Sequence, residues 1–251
     1  MTTTLHSGAT ILRYKGDKLL GVLNRPDGRE TQKFPGVLFL HGFPGAEKNV
    51  DVQRRLLALG VASFALHFSG AWGSEGEYRF SSLVPQARAA LKFLATREFV
   101  DARRLAVFGF SMGGWAALNL ASRVPGLRAV AAISPVGGPE MIGPRNLEFI
   151  KRLSRPLRAP KPAALMADFR SSMRKFDPHQ AVTRRTCPLL LVHGDEDVTV
   201  PALISRRLHV EARAPKKLVI AKGARHDFLD RRDWLTRLTA DWLAKQLYLP
   251  A

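Results

Sequence analysis

The sequence predicts an α/β protein: a mostly parallel sheet of eight strands, flanked by helices, with a small helical cap inserted. Three observations carry that prediction. Short apolar runs rich in β-formers recur along the chain, separated by stretches of helical spacing. One proline-rich segment, residues 138–180, breaks the alternation. Hydrophobic residues make up 46% of the 251 positions, enough for a well-buried core.

Residues 9–15 and 18–24 read as two strands joined at Gly16-Asp17, a hairpin signal. Pro26-Asp27-Gly28 marks the next turn. PGVLFLHG (35–42) is a short continuous apolar run ending in His-Gly, as suits a strand buried on both faces of a parallel sheet. Residues 51–59 read as a helix and VASFALHF (61–68) as the following strand. A glycine-rich loop, SGAWGSEGEY, leads to a helix that carries Leu83, Ala87, Ala90, Leu91 and Leu94 on one face. RLAVFGF is then a strand, 112–123 a helix and LRAVAAIS (127–134) a strand. PLLLVHG (188–194) and KLVIAKG (217–223) repeat the pattern, with a helix around 202–213 between them. Asp233, at an N-cap position, opens a last helix with Leu235, Leu238 and Trp242 on one face.

Residues 138–180 hold six prolines and are too long for a simple connection. They read as a cap over the C-terminal edge of the sheet, set on a core of 1–137 and 181–251. The cap carries nine Lys/Arg against four Asp/Glu.

Composition excludes several classes. The one cysteine, Cys187, rules out a disulfide framework and reads as a buried small hydrophobe. The N-terminal stretch lacks the pattern of a signal peptide, and no apolar run approaches the roughly 18 residues needed to span a bilayer. A cytoplasmic protein with no membrane partner is expected. Lys and Arg outnumber Asp and Glu 39 to 21, a net charge of +18. The arginines are scattered in pairs and no zinc-finger or RNA-binding signature accompanies them. A solvated basic surface, favouring anionic substrates but not nucleic acid, is the reading.

The chemistry starts at Gly109-Phe110-Ser111-Met112-Gly113, which fits G-x-S-x-G with a strand before it and a helix after it. A serine on so tight a turn is expected at positive φ, and side chains two positions either way would collide with strand and helix. The strain presents the Ser111 hydroxyl near the positive end of a helix. A serine nucleophile needs a base, and the base an orienting acid. His226, in the loop GARHDF beyond a strand's end, is the candidate base. His179 is the alternative, His193 reads as structural, and His209 falls on a helix surface. The acid is expected in the loop after PLLLVH, where Asp195, Glu196 and Asp197 compete. Asp227 adjoins His226 but would point away. Oxyanion donors are expected from the amides of Met112 and of Phe43 in HGFPG, since Pro44 has no N–H to give.

HGFPG, GSEG, GFSMGG, HGDEDVTVP and GARHDF fall in the order of the α/β-hydrolase superfamily, which the chain resembles from about residue 20 onward. It is most similar to small bacterial carboxylesterases of the cinnamoyl/feruloyl esterase type and to the catalytic domains of prolyl oligopeptidase-like peptidases. The resemblance implies the α/β-hydrolase fold and prefers Asp197, third after the glycine in H-G-x-x-D-x-x-V-P, with Asp195 the alternative. It also implies that Phe43 and Met112 form the oxyanion hole. Many relatives carry an aspartate near the position of His67. Here His67 reads as a structural polar residue, with pocket lining the alternative. Serine, rather than the aspartate or cysteine of other members, implies an acyl-serine intermediate.

The expected function is therefore a carboxylesterase for small to medium acyl or aryl esters, with Ser111, Asp197 and His226 as triad. A prolyl oligopeptidase-like serine peptidase and an acyl thioesterase, its basic cap drawing a phosphorylated carrier, are the alternatives. A non-catalytic binding protein of the same fold is the alternative from another class. Neither cofactor nor metal is expected. The expected partner is a small-molecule ester, and the oligomeric state is open, a homodimer being one option.

Overall fold

One sheet organises the computed structural model, which describes residues 6–143 and 145–250. Residues 1–5, part of the stretch read for a targeting signal, and Pro144 of the proline-rich segment expected to form a cap lie outside the described residues. The strands are β1 (His6–Tyr14), β2 (Asp17–Arg25), β3 (Phe34–Leu40), β4 (Ala62–Leu66), β5 (Val100–Phe110), β6 (Ala129–Ile133), β7 (Leu189–Gly194) and β8 (Lys216–Ala221). Their order across the sheet is β1-β2-β4-β3-β5-β6-β7-β8. The β1–β2 and β2–β4 pairs are antiparallel and all others parallel, so the expected eight-stranded, mostly parallel sheet is what forms.

The helices are α1 (Val50–Ala58), α2 (Phe80–Ala95), α3 (Met112–Ala121), α4 (Arg145–Leu153), α5 (Pro162–Lys175), α6 (Pro178–Arg184), α7 (Leu203–Glu211) and α8 (Arg232–Tyr248). Period-2 alternation sends successive strand residues to opposite cores. Leu38 and Leu40 of β3 and Val107 of β5 join the side covered by α2 and α3. Val37, Phe39, Ala106 and Phe108 join the side covered by α1 and α8. Every residue of β3 is buried, which is why its sequence shows no polar alternation.

Two local expectations need correction. The hairpin turn is Lys15-Gly16 rather than Gly16-Asp17: both residues have positive φ, 52° and 94°, and Tyr14 pairs directly with Asp17. A two-residue turn of this hand needs positive φ at both central positions. Asp233 is not the cap of α8. A 3-10 turn at Leu229–Arg231 starts the helix early, which leaves Asp233 in its first turn. There its charge still favours the positive helix end.

Between β6 and β7 the chain forms a 3-10 turn (Pro139–Met141), α4, α5 and α6. α5 packs on α2, and α6 packs on α3 and α7. Among the described residues no helix is long and apolar enough to cross a membrane.

Candidate active site

The turn from β5 into α3 is built around missing side chains. A Cβ on Gly109 would lie 2.1 Å from the carbonyl oxygen of Gly113, and a Cβ on Gly113 would lie 2.0 Å from that of Leu40. With glycine at both places, α3 comes directly down onto β5 and β3. Ser111, between them, is held at φ 53°, ψ −118°, a conformation that L residues rarely adopt. Its N–H donates to Ile133 at 2.8 Å, and its carbonyl accepts from Trp115 at 3.1 Å and Val136 at 3.2 Å. Neighbouring backbone thus fixes the strained residue on both sides.

Ser111 Oγ lies 3.0 Å from Nε2 of His226, whose Nδ1 lies 2.6 Å from Asp197 Oδ2. The Phe110 ring, 5.1 Å from the His226 ring between centroids, packs beside the imidazole. Asp197 is buried. Its Oδ1 accepts the N–H groups of Thr199 at 2.9 Å and Val200 at 2.8 Å. Its Oδ2 also meets His193 Nε2 at 3.1 Å. Burial alone would raise its pKa. The hydrogen bonds from His193 and His226, with the His226 charge and the Val200 N–H, overcome that and hold it well below the usual carboxylate range. Asp197 is therefore an ionised acceptor.

His193, read as structural from the sequence, is buried and hydrogen-bonded to Asp197. It is fully buried at the end of β7. Its Nε2 lies between Asp197 and the Val200 carbonyl, 2.8 Å away, and its Nδ1 lies 2.7 Å from Ser205 Oγ. An Nε2–H tautomer satisfies all three partners, with the Ser205 hydroxyl donating to Nδ1. Its place four residues before Asp197, across the turn, was the signal available.

The rival candidates are occupied elsewhere. Asp195 accepts the Gly223 N–H at 2.6 Å, and Asp227 accepts that of Leu229 at 3.3 Å. His179 bridges Glu140 at 2.8 Å and Glu211 at 2.7 Å. His67 sits 3.2 Å from the Trp72 carbonyl and faces a different cleft, beside α1. Cys187 is buried, which pushes its thiol up to about 11.

The loop after β3 lies against the serine: a Cβ on Gly42 would come within 3.0 Å of Ser111 Cβ. His41 braces that loop. It receives the Phe68 N–H on Nε2 at 3.2 Å and meets the Gly42 carbonyl through Nδ1 at 2.7 Å. Burial pushes its pKa down to about 3, against the pull of the Gly42 bond and with the help of Lys48 and His67. It is a neutral Nδ1–H donor. Trp72 holds the far side of the loop through a 2.9 Å bond from Nε1 to the Pro44 carbonyl. The Phe43 ring packs 5.3 Å from both Tyr78 and Phe80. Among the described residues, neither the Phe43 nor the Met112 N–H has an acceptor.

Over Ser111 and His226 opens a cavity of about 640 Å³. Aromatic and aliphatic side chains dominate its wall, among them Phe43, Phe80, Met112 and Phe169. Phe149, Ile150, Arg152 and Leu153 of α4 close one side. Among the described residues, no group of three or more His, Cys, Asp or Glu side chains is placed to hold a metal ion.

A model of the prolyl oligopeptidase family matches residues 81–249. The chain belongs to the prolyl oligopeptidase family. Among curated proteins, this family member is 29% identical over 194 residues to the uncharacterized protein Rv2307c of Mycobacterium tuberculosis, a match covering 77% of the chain and 63% of that relative. It therefore spans less than two thirds of that relative's length. It is also 29% identical over 114 residues to cutinase est1 of Thermobifida alba, covering 43% of the chain and 37% of the cutinase. Among solved structures, Est1E from Butyrivibrio proteoclasticus with bound ferulic acid superposes with a TM-score of 0.79 at 22% identity, covering 96% of this chain and 100% of that one. The superposition shows that this family member has the α/β-hydrolase fold.

Proposed function

We propose that this α/β-hydrolase is a carboxylesterase for small to medium acyl or aryl esters, with Ser111, His226 and Asp197 as its triad. The observation that carries the proposal is the hydrogen-bonded chain Ser111–His226–Asp197 facing an aromatic cavity. Ser111 Oγ attacks the ester carbonyl while His226 Nε2 takes its proton. Asp197, ionised and fixed by two backbone N–H groups, keeps His226 in the Nδ1–H tautomer and stabilises its cation. The N–H groups of Phe43 and Met112 receive the oxyanion, a contribution of roughly 3 kcal/mol per donor in comparable sites. His226 then passes its proton to the leaving alcohol. Water repeats the sequence on the acyl-serine. Residues 138–180 act as a cap on the core, their α4 and α5 side chains shaping the acyl pocket.

The cutinase relative and the ferulic acid in Est1E support an ester as the scissile bond and an aromatic or aliphatic acid as the acyl part. The family match favours a second reading, a serine peptidase. Hydrolysis of p-nitrophenyl butyrate and of aminoacyl p-nitroanilides by the purified protein separates the two. The proposal expects the ester to be cleaved much the faster, with Ser111→Ala inactive. Anilide turnover exceeding ester turnover would replace it with the peptidase reading.

A further inference from the structure

α4 has two sides, and they differ in chemistry. One closes the aromatic cavity over Ser111 through Ile150 and Leu153. The other opens into a hollow lined by Glu148, Phe149, Lys151, Arg152 and Arg155. Phe149 and Arg152 line both, so the hollow adjoins the cavity at those two side chains. Three cations thus stand beside the cavity against one acid, Glu148, which lies 3.9 Å from Lys151. Among the described residues, neither Arg152 nor Arg155 pairs with a carboxylate. The carboxylates within the cavity are engaged elsewhere: Glu47 with Arg232 at 3.4 Å and Asp227 with the Leu229 N–H at 3.3 Å.

We propose that this hollow is a phosphate subsite, and that the preferred substrates join an apolar or aromatic acid to a phosphorylated alcohol or thiol. The proposal rests on the esterase reading above and names its substrate class. Desolvation decides which end of the substrate goes where. A phosphate driven into the aromatic cavity would lose its hydration without an equivalent partner. An acyl chain there loses only unfavourable contact with water. The acyl group therefore fills the cavity beside Ser111, and the charged leaving group extends past Phe149 over Arg152 and Arg155. Two guanidinium groups match phosphate oxygens through paired N–H donors. The covalent steps are those of ester hydrolysis. The Ser111 Oγ–acyl bond forms, the bond to the leaving oxygen or sulfur breaks, and that atom takes the proton held by His226. Water then cleaves the acyl-serine.

Matched substrates that differ in the charged portion test this. 1-Butyrylglycerol 3-phosphate is compared with 1-monobutyrin, and butyryl-coenzyme A with the butyryl thioester of N-acetylcysteamine. At low salt the phosphorylated member of at least one pair is expected to show about tenfold higher kcat/KM, chiefly through KM, with the advantage shrinking as salt screens it. The pair that responds identifies the leaving group as glycerol-like or coenzyme-like. Arg152→Ala/Arg155→Ala should lower the phosphorylated-to-neutral ratio at least threefold. Arg206→Ala/Arg207→Ala, which removes the same charge from the exposed face of α7, should leave the ratio unchanged. Ratios near one in both pairs would overturn the subsite, as would an equal fall in both double variants, which would mean a general field and no local site. Failure to cleave p-nitrophenyl butyrate as well as all four test esters would instead strike the esterase reading itself.

Discussion

His193 and His226 converge on one oxygen, Asp197 Oδ2, at 3.1 Å and 2.6 Å. The carboxylate is therefore oriented from both sides. His226 links it to Ser111, and His193 ties it to the end of β7 and, through Ser205, to α7. Rotation of Asp197 away from His226 would also break its contact with the fully buried His193, whose Nε2–H would keep only the Val200 carbonyl.

His193→Ala is accordingly expected to act through Asp197. Steady-state kinetics should show kcat reduced roughly 10- to 100-fold, as for a small misplacement of a reacting group, with KM little changed. Loss of the buried network should also cost about 2 kcal/mol in a denaturant melt. A variant that loses stability and keeps wild-type kcat would show His193 to be packing alone.

The strain at Ser111 gives a second prediction. Ser111→Ala keeps a Cβ at φ 53°, while Ser111→Gly removes it. Both should be inactive. The glycine variant should be the more stable by about 1 kcal/mol, read as a melting temperature higher by roughly 2–4 °C. Equal melting temperatures would mean that the turn stores no such strain.

Gly113→Ala should be far more damaging than an ordinary helical Gly→Ala change. The new Cβ would meet the Leu40 and His41 carbonyl oxygens at 2.0 Å and 2.6 Å, and these belong to backbone that cannot swing aside. A loss of roughly 3 kcal/mol or more, or failure to express in soluble form, is expected. A stable, active Gly113→Ala protein would contradict the close approach of α3 to β3.

Acid should unfold the protein partly through His41. Its folded pKa is about 3, against about 6.5 in an unfolded chain. A depressed histidine pKa favours folding above the unfolded value. That contribution is lost as pH falls from about 6.5 toward 3, at up to about 1.4 kcal/mol per pH unit. Asp197, also depressed, adds its own loss only below about pH 4, where an unfolded aspartate begins to take a proton. Unfolding free energies between pH 6.5 and 4.5 should therefore slope downward in wild type and flatten in His41→Asn. An unchanged slope in the variant would assign the effect to other groups.

Much of this was legible along the chain because the determinants are local. GFSMGG announces its turn through the glycines that the close approach requires, and the apolar run that ends at Leu40 marks a strand buried on both faces. The acids in DEDVTVP could not be ranked from the residues alone, because Asp195 and Asp197 differ only in what lies across the fold. One meets Gly223, and the other meets His226. That the structural His193 touches Asp197 was not readable, because the turn at 194–197 is what brings them together. The cavity wall at Phe149 and Arg152 was illegible for a similar reason. Proline-punctuated segments give short helical patterns that do not say which face turns to Ser111.

The central claim is that Ser111, activated by His226, becomes acylated. Intact-protein mass spectrometry with peptide mapping after treatment with a fluorophosphonate tests it most directly. One adduct per chain is expected, on Ser111, formed rapidly in wild type and slowed by orders of magnitude in His226→Ala. No adduct on folded protein, or one on another residue while ester hydrolysis persists, would contradict it.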